Sequence, residues 1–171
     1  MTKLIGAILL ISGTSACGLL HVRRLRRRSR ILSEIVCALA AMRSEIVTRL
    51  TPVPELMERM ALQTAVPVSS FFRNIHARLG ELGSVALYDI WAQTIDAAPE
   101  LLLSQEERAA LRELARSLGR YDAAEQRAAL ERAERSFEEF ARRADERRGA
   151  DSKTFAALGA AAGVFIVLIL I

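Results

Sequence analysis

Cysteine, histidine and aromatic residues are scarce in this chain, and each scarcity removes a way of holding a fold together or of doing chemistry. Two cysteines, Cys17 and Cys37, cannot staple 171 residues into a disulfide framework. With only His21 and His76 beside them, a four-ligand structural zinc centre would have to draw on carboxylates, so no metal site is expected. Aromatics make up 5% of the residues, which leaves packing to aliphatic side chains. Proline (4) and glycine (9) are also few, and together with 51% apolar content this excludes a disordered chain.

The signatures of nucleotide cradling, dinucleotide binding and zinc hydrolysis are missing from the sequence, and no cofactor is expected. His21 and His76 lie far apart, without a cysteine or serine in a nucleophile context, and read as structural or surface residues. The acid pairs Glu106 with Glu107 and Glu138 with Glu139 are adjacent, so on a helix they point around the axis rather than across a cleft. Nothing here points to an enzyme.

What the chain does have is an uneven distribution of charge and apolar length. The net charge is +4, yet residues 31–139 hold 17 acids against 12 arginines, so the basic excess sits at the two borders of that segment. One border reads Val22-Arg23-Arg24-Leu25-Arg26-Arg27-Arg28-Ser29-Arg30, with six arginines and no acid. Residues 140–153 form the other, with five basic groups to three acidic ones, ending at Lys153.

Each border touches an uncharged stretch at a chain end. Leu4 to Leu20 runs for 17 residues and Thr154 to Ile171 for 18. As helices, at 1.5 Å per residue, each approaches the roughly 30 Å of bilayer hydrocarbon. Apolar on every face, such helices are awkward to bury in a fold of this size, so both read as transmembrane. A secretory signal, or an exported lipoprotein anchored through Cys17, competes for the first stretch. Arginine immediately behind an apolar helix opposes export, and both stretches carry their basic residues on the inner side. Residues 1–21 and 153–171 are therefore expected to span the membrane, with 22–152 cytoplasmic. Arg23, Arg24, Arg26, Arg27, Arg28, Arg30 and Lys153 then mark the membrane border. Because they abut an apolar span, anionic headgroups explain these arginines more simply than nucleic acid, which is not expected as a partner. Gly159 and Gly163 form a G-x-x-x-G suited to close helix approach, whether to the first span, to a second copy of the chain or to another protein.

Between the borders the periodicity is helical throughout. Ile31, Leu32, Ile35, Val36, Leu39, Met42, Ile46, Val47 and Leu50 recur at three- and four-residue spacing, and Thr51-Pro52-Val53-Pro54 ends that helix. Further helices are expected from Pro54 through Gln63, from Pro67 to about Gly80, and from Ser84 to Ala97. Ser104-Gln105-Glu106-Glu107 reads as a capping box opening a fifth, and Asp122-Ala123-Ala124-Glu125 repeats the device for a sixth. Opposite charges four apart, as in Arg127 with Glu131, line its solvated face. The fold class is all-α: an antiparallel bundle of about six helices flanked by N- and C-terminal transmembrane helices.

Several ordered features resemble the stage III sporulation protein AB family: Lys3-Leu4-Ile5-Gly6-Ala7, Glu45-Ile46, Thr51-Pro52-Val53-Pro54-Glu55, Leu118-Gly119-Arg120-Tyr121-Asp122 with Gln126, and the closing Leu158-Gly159 tail. The chain departs from the family at Ala123, where an arginine is common, and in its heavy arginine load after the first span. The resemblance implies a component of the mother-cell membrane complex that joins mother cell and forespore, with a soluble region like the cytoplasmic domain of type II secretion platform protein F. It implies as partners the cytoplasmic ATPase stage III sporulation protein AA and other membrane proteins of the sporulation complex. Asp122 and Gln126 share one helix face and are candidates for the partner surface, although a helix cap and its neighbour would look the same. A membrane-anchored regulatory adaptor would fit the same charge map.

Overall fold

Proline decides where two of the helices begin. In this computed structural model Pro52 takes extended angles and caps α2 (Val53–Gln63), with Pro54 inside the first turn, where a missing N–H costs nothing. Pro67 is the N-cap residue of α3 (Val68–Arg78), there with helical angles. The structure describes residues 22–49, 51–118 and 124–150 in full; helix assignments extend further, through α1 (Thr2–Arg49) and α6 (Ala123–Leu170). Between these lie α4 (Leu87–Asp96) and α5 (Gln105–Leu118), with single 3-10 turns at Leu79–Glu81 and Pro99–Leu101. Among the described residues this makes six α-helices and an all-α fold.

The fourth helix starts later than its periodicity suggests, because the chain first has to turn. After the 3-10 turn the Ser84 hydroxyl donates to the Glu81 carbonyl at 2.8 Å, and Gly83 takes a φ of 109°, a region that penalises any residue with a Cβ. Leu102, with φ 53°, is a non-glycine residue in the left-handed region and closes the second 3-10 turn.

The chain divides into two compact units, Met1–Ser29 with Arg142–Ile171, and Arg30–Ala141. In the second unit every helix contributes one apolar stripe. α1 buries Ile31, Leu32, Ile35, Ala38, Leu39, Met42 and Ile46, and α6 buries Ala129, Leu130, Ala133, Phe137 and Phe140. Both sets follow the three- and four-residue steps of a helix face turned to a core. Across that packing the Arg43 guanidinium meets Glu134 at 3.1 Å. Val36 and Val47, expected on the core stripe of α1, are half-buried and exposed respectively. They fall on its margin, while Ala38 lies inside.

The aromatic centre of the bundle is Trp91 of α4. Its ring meets Phe71 edge-on with centroids 5.5 Å apart, and Phe72 at 6.4 Å. Such T-shaped pairs add about 0.5–1.5 kcal/mol beyond area burial. The indole Nε1–H is buried and finds no acceptor among the described residues. α5 closes over this layer with Leu111, Leu114, Ala115 and Leu118, and its Arg116 lies 5.0 Å from the centroid of the Tyr88 ring on α4.

Among the described residues no helix is long and apolar enough to cross a membrane. Leu4–Leu20 and Thr154–Ile171, the two expected spans, lie outside the described residues, as do Lys153, Gly159, Gly163 and Asp122.

Candidate functional site

The polar features that the sequence singled out separate into those that tie helices together and those that face outward. The capping box belongs to the first group: the Ser104 N–H donates to Glu107 Oε2 at 2.6 Å, and the Glu107 N–H returns to Ser104 Oγ at 3.3 Å. Two amides at the start of α5 are thereby satisfied, which explains why Glu107 tolerates near-complete burial. At the C-terminal end of α4, Arg108 Nη1 donates to the Ile95 carbonyl at 3.1 Å, while Arg112 and Arg108 both approach the Asp96 carboxylate. Cations there complement the partial negative charge of a helix C-terminus.

A second knot sits at the α1–α2 turn. Glu45 receives Thr51 Oγ1 at 3.0 Å and Arg49 Nη1 at 3.1 Å, with Arg59 Nη1 of α2 at 3.5 Å. Arg59 is held further by Glu55 at 2.7 Å, and this carboxylate, with Glu45 behind it, raises the guanidinium pKa above its ordinary value. Glu45, Thr51 and Glu55 are among the residues that carry the family resemblance, and the structure gives them a fold-holding task. The four-residue spacing of Glu55 and Arg59 is a local pattern, whereas the reach of Arg59 to Glu45 on α1 has no signal in the sequence.

His76 is likewise structural: its Nδ1 lies 3.1 Å from the Pro54 carbonyl, linking α3 to the start of α2. Among the described residues no group of three His, Cys, Asp or Glu side chains could hold a metal ion. Cys37 is a free, exposed thiol on α1.

Of the two partner-surface candidates, Gln126 is described. Its amide Nε2 donates to the Leu118 carbonyl at 3.3 Å, so it bridges the last turn of α5 and the first turns of α6. That is a bond of fold closure, and it leaves Gln126 half-buried. Below it, α5 and α6 leave a shallow groove of about 180 Å³ between Ala110, Leu114 and Ser117 on one side and Ala129, Ala133 and Ser136 on the other. Glu113 and Arg132 stand on its opposite lips. Periodicity could not have revealed this groove, since it exists only because small residues from both helices face each other.

The arginine cluster faces outward. Arg23, Arg24, Arg26, Arg27 and Arg30 are exposed on α1, and Arg28 is half-buried. Within the same unit as Arg23 to Arg28, Ser29 is 6% exposed and its hydroxyl donates to Asp145 Oδ1 of α6 at 2.6 Å. Ala144, beside it, is buried as well. α6 brings its own exposed arginines to this contact: Arg142, Arg143, Arg147 and Arg148.

What the described residues present is thus an all-α helical bundle whose buried polar groups serve the fold and whose outward features are a groove and two basic helix faces. The sequence profile of the stage III sporulation protein AB family matches residues 3–171, and the chain belongs to that family. It is similar to stage III sporulation protein AB of Bacillus subtilis (strain 168), with 26% identity over 171 residues that cover 99% of both chains. A solved structure of a stage III sporulation protein AB superimposes with a TM-score of 0.65 at 24% identity, covering 72% of this chain and 98% of that one, which supports the fold. This is a protein of stage III of sporulation.

Proposed function

We propose that this chain is a two-span membrane platform component of the sporulation complex between mother cell and forespore, with residues 1–21 and 153–171 as spans and 22–152 on the cytoplasmic side. The chain-long family match carries the reading. The charge map supports it, because each uncharged end stretch is bordered by basic residues on its inner side. Arg23, Arg24, Arg26, Arg27, Arg28, Arg30 and Lys153 form the border, and Gly159 with Gly163 lets a neighbouring helix approach within the bilayer.

Its work is positional rather than catalytic. The spans hold a helical bundle beside the mother-cell membrane, and the bundle docks a cytoplasmic ATPase, stage III sporulation protein AA, and passes its force or assembly cues to other membrane components. Docking is assigned to Asp122 and Gln126, which under this topology lie on the side of the membrane that a soluble partner shares.

The test is genetic first. Deleting the gene in its host should reduce heat-resistant spores by orders of magnitude, and a normal count would defeat the reading. Affinity purification of the full chain from sporulating membranes should bring down the ATPase, and Asp122→Arg should weaken that capture while leaving the chain in the membrane. An ATPase recovered equally with and without the substitution moves docking away from these residues.

A further inference from the structure

The Ser29–Asp145 bond joins residues 116 apart in the chain, and what it brings together is charge. Arg26 and Arg28 lie within one turn of Ser29 on α1, and Arg142 and Arg148 lie within one turn of Asp145 on α6. Among the described residues of this unit there are nine arginines, Arg23, Arg24, Arg26, Arg27, Arg28, Arg142, Arg143, Arg147 and Arg148, against two carboxylates. Both carboxylates are already engaged. Asp145 accepts from Ser29 and meets Arg148 at 3.4 Å, and Glu146 pairs with Arg142. Glu138 and Glu139 lie one turn before Arg142 and Arg143 on α6, and with them counted the arginines still outnumber the acids nine to four, so the paired helices carry a net positive charge.

A helix pair with that surplus is costly unless something anionic answers it, since like charges held near one another repel at the few-ångström separations of neighbouring turns. Guanidinium is also the group that binds phosphate oxygens two at a time. The buried Ser29 and Ala144 fix the two helices against each other, so the arginines are presented from a packed contact rather than from a loose tail. The sequence separates the two sets, and only the folded pairing combines them.

We propose that the α1 and α6 arginines around the Ser29–Asp145 contact form one binding collar for the phosphate headgroups of anionic phospholipids. This rests on the membrane reading above and adds to it: the collar is a two-helix lipid site that selects headgroups by charge, with the exposed Arg147 and Arg148 of α6 joining Arg23, Arg24, Arg26 and Arg27 of α1. Binding anionic lipid would relieve the repulsion between the two sets and so favour the paired state of the helices.

The full chain, purified in mild detergent, is incubated with mixed micelles of phosphatidylcholine and phosphatidylglycerol, washed, and its retained lipid measured by mass spectrometry. Wild type should retain phosphatidylglycerol at about five-fold or more above its share of the mixture, the scale set by even one basic residue at a charged surface. The variant combining Arg26→Gln, Arg27→Gln, Arg147→Gln and Arg148→Gln should fall back toward the mixture ratio with an unchanged helical circular dichroism spectrum. A wild type that retains lipid in the mixture ratio, or a variant that keeps the full enrichment, overturns the proposal. Excess inorganic phosphate should leave most of the phosphatidylglycerol in place; complete displacement would mean the arginines read free anions, which also overturns it. Alkaline carbonate extraction of the chain from pure phosphatidylcholine vesicles separates the two readings. A chain that stays in the vesicles but shows no enrichment loses only the collar, whereas a chain released into solution loses the membrane reading with it.

Discussion

Trp91 offers a test of how the bundle is held. It is the chain's lone tryptophan, is fully buried, and meets Phe71 and Phe72 edge-on. Truncation to alanine removes the ring from a packed core and should cost about 3–5 kcal/mol, the range for large aromatic deletions that cannot collapse. Trp91→Phe is different. It gives up part of the ring, about 1–2 kcal/mol of burial, but it also removes an indole N–H that finds no acceptor among the described residues. An orphaned buried donor costs about 1–3 kcal/mol, so the two changes oppose each other and the net loss should stay within about 1 kcal/mol. Guanidinium unfolding of the full chain in detergent, followed by far-ultraviolet circular dichroism, measures both variants against wild type. If Trp91→Phe is as damaging as Trp91→Ala, the balance between lost burial and the relieved donor is wrong.

Two further predictions follow from the polar ties. Glu107→Ala removes one half of the capping box and leaves the Ser104 N–H without its 2.6 Å acceptor, so stability should fall by about 1–2 kcal/mol. Adding Ser104→Ala should cost less than its single effect, because both act on one motif, and a double-mutant cycle checks this. Glu81 is held below the usual carboxylate range by the fork of Arg78, and Glu131 by Arg127, so the folded chain binds fewer protons at these groups than the unfolded one. Their contribution is present above the ordinary carboxylate pKa of about 4.3 and is lost as pH falls through the lower folded values. The unfolding midpoint should drop across that acid window, and Glu81→Gln combined with Glu131→Gln should flatten the slope.

How much of this was legible beforehand depended on how local the signal was. The apolar stripe of α1, the proline starts of α2 and α3, and the Ser104–Glu107 box each involve residues within a turn or two, so spacing alone reveals them. Local turn chemistry was harder: the late start of α4 depends on how the chain gets past Gly83. The ties that set helix against helix could not be read at all. Arg59 reaches Glu45 from the next helix, Arg108 reaches the Ile95 carbonyl, and Ser29 reaches Asp145 from the far end of the chain. In each case the partner is chosen by the fold, and an arginine in an arginine-rich sequence gives no hint of which carboxylate or carbonyl it will meet. The same limit applies to Gln126, singled out for a partner surface, whose amide bonds the end of α5.

The exposed thiol of Cys37 gives the native chain a built-in reporter of sidedness. Under the proposed arrangement a maleimide too polar to enter cells leaves this sulfur untouched on intact mother cells and modifies it once the envelope is opened. With Cys17 replaced by serine, one mass increment then records which compartment holds the bundle, with no fusion tag or protease required.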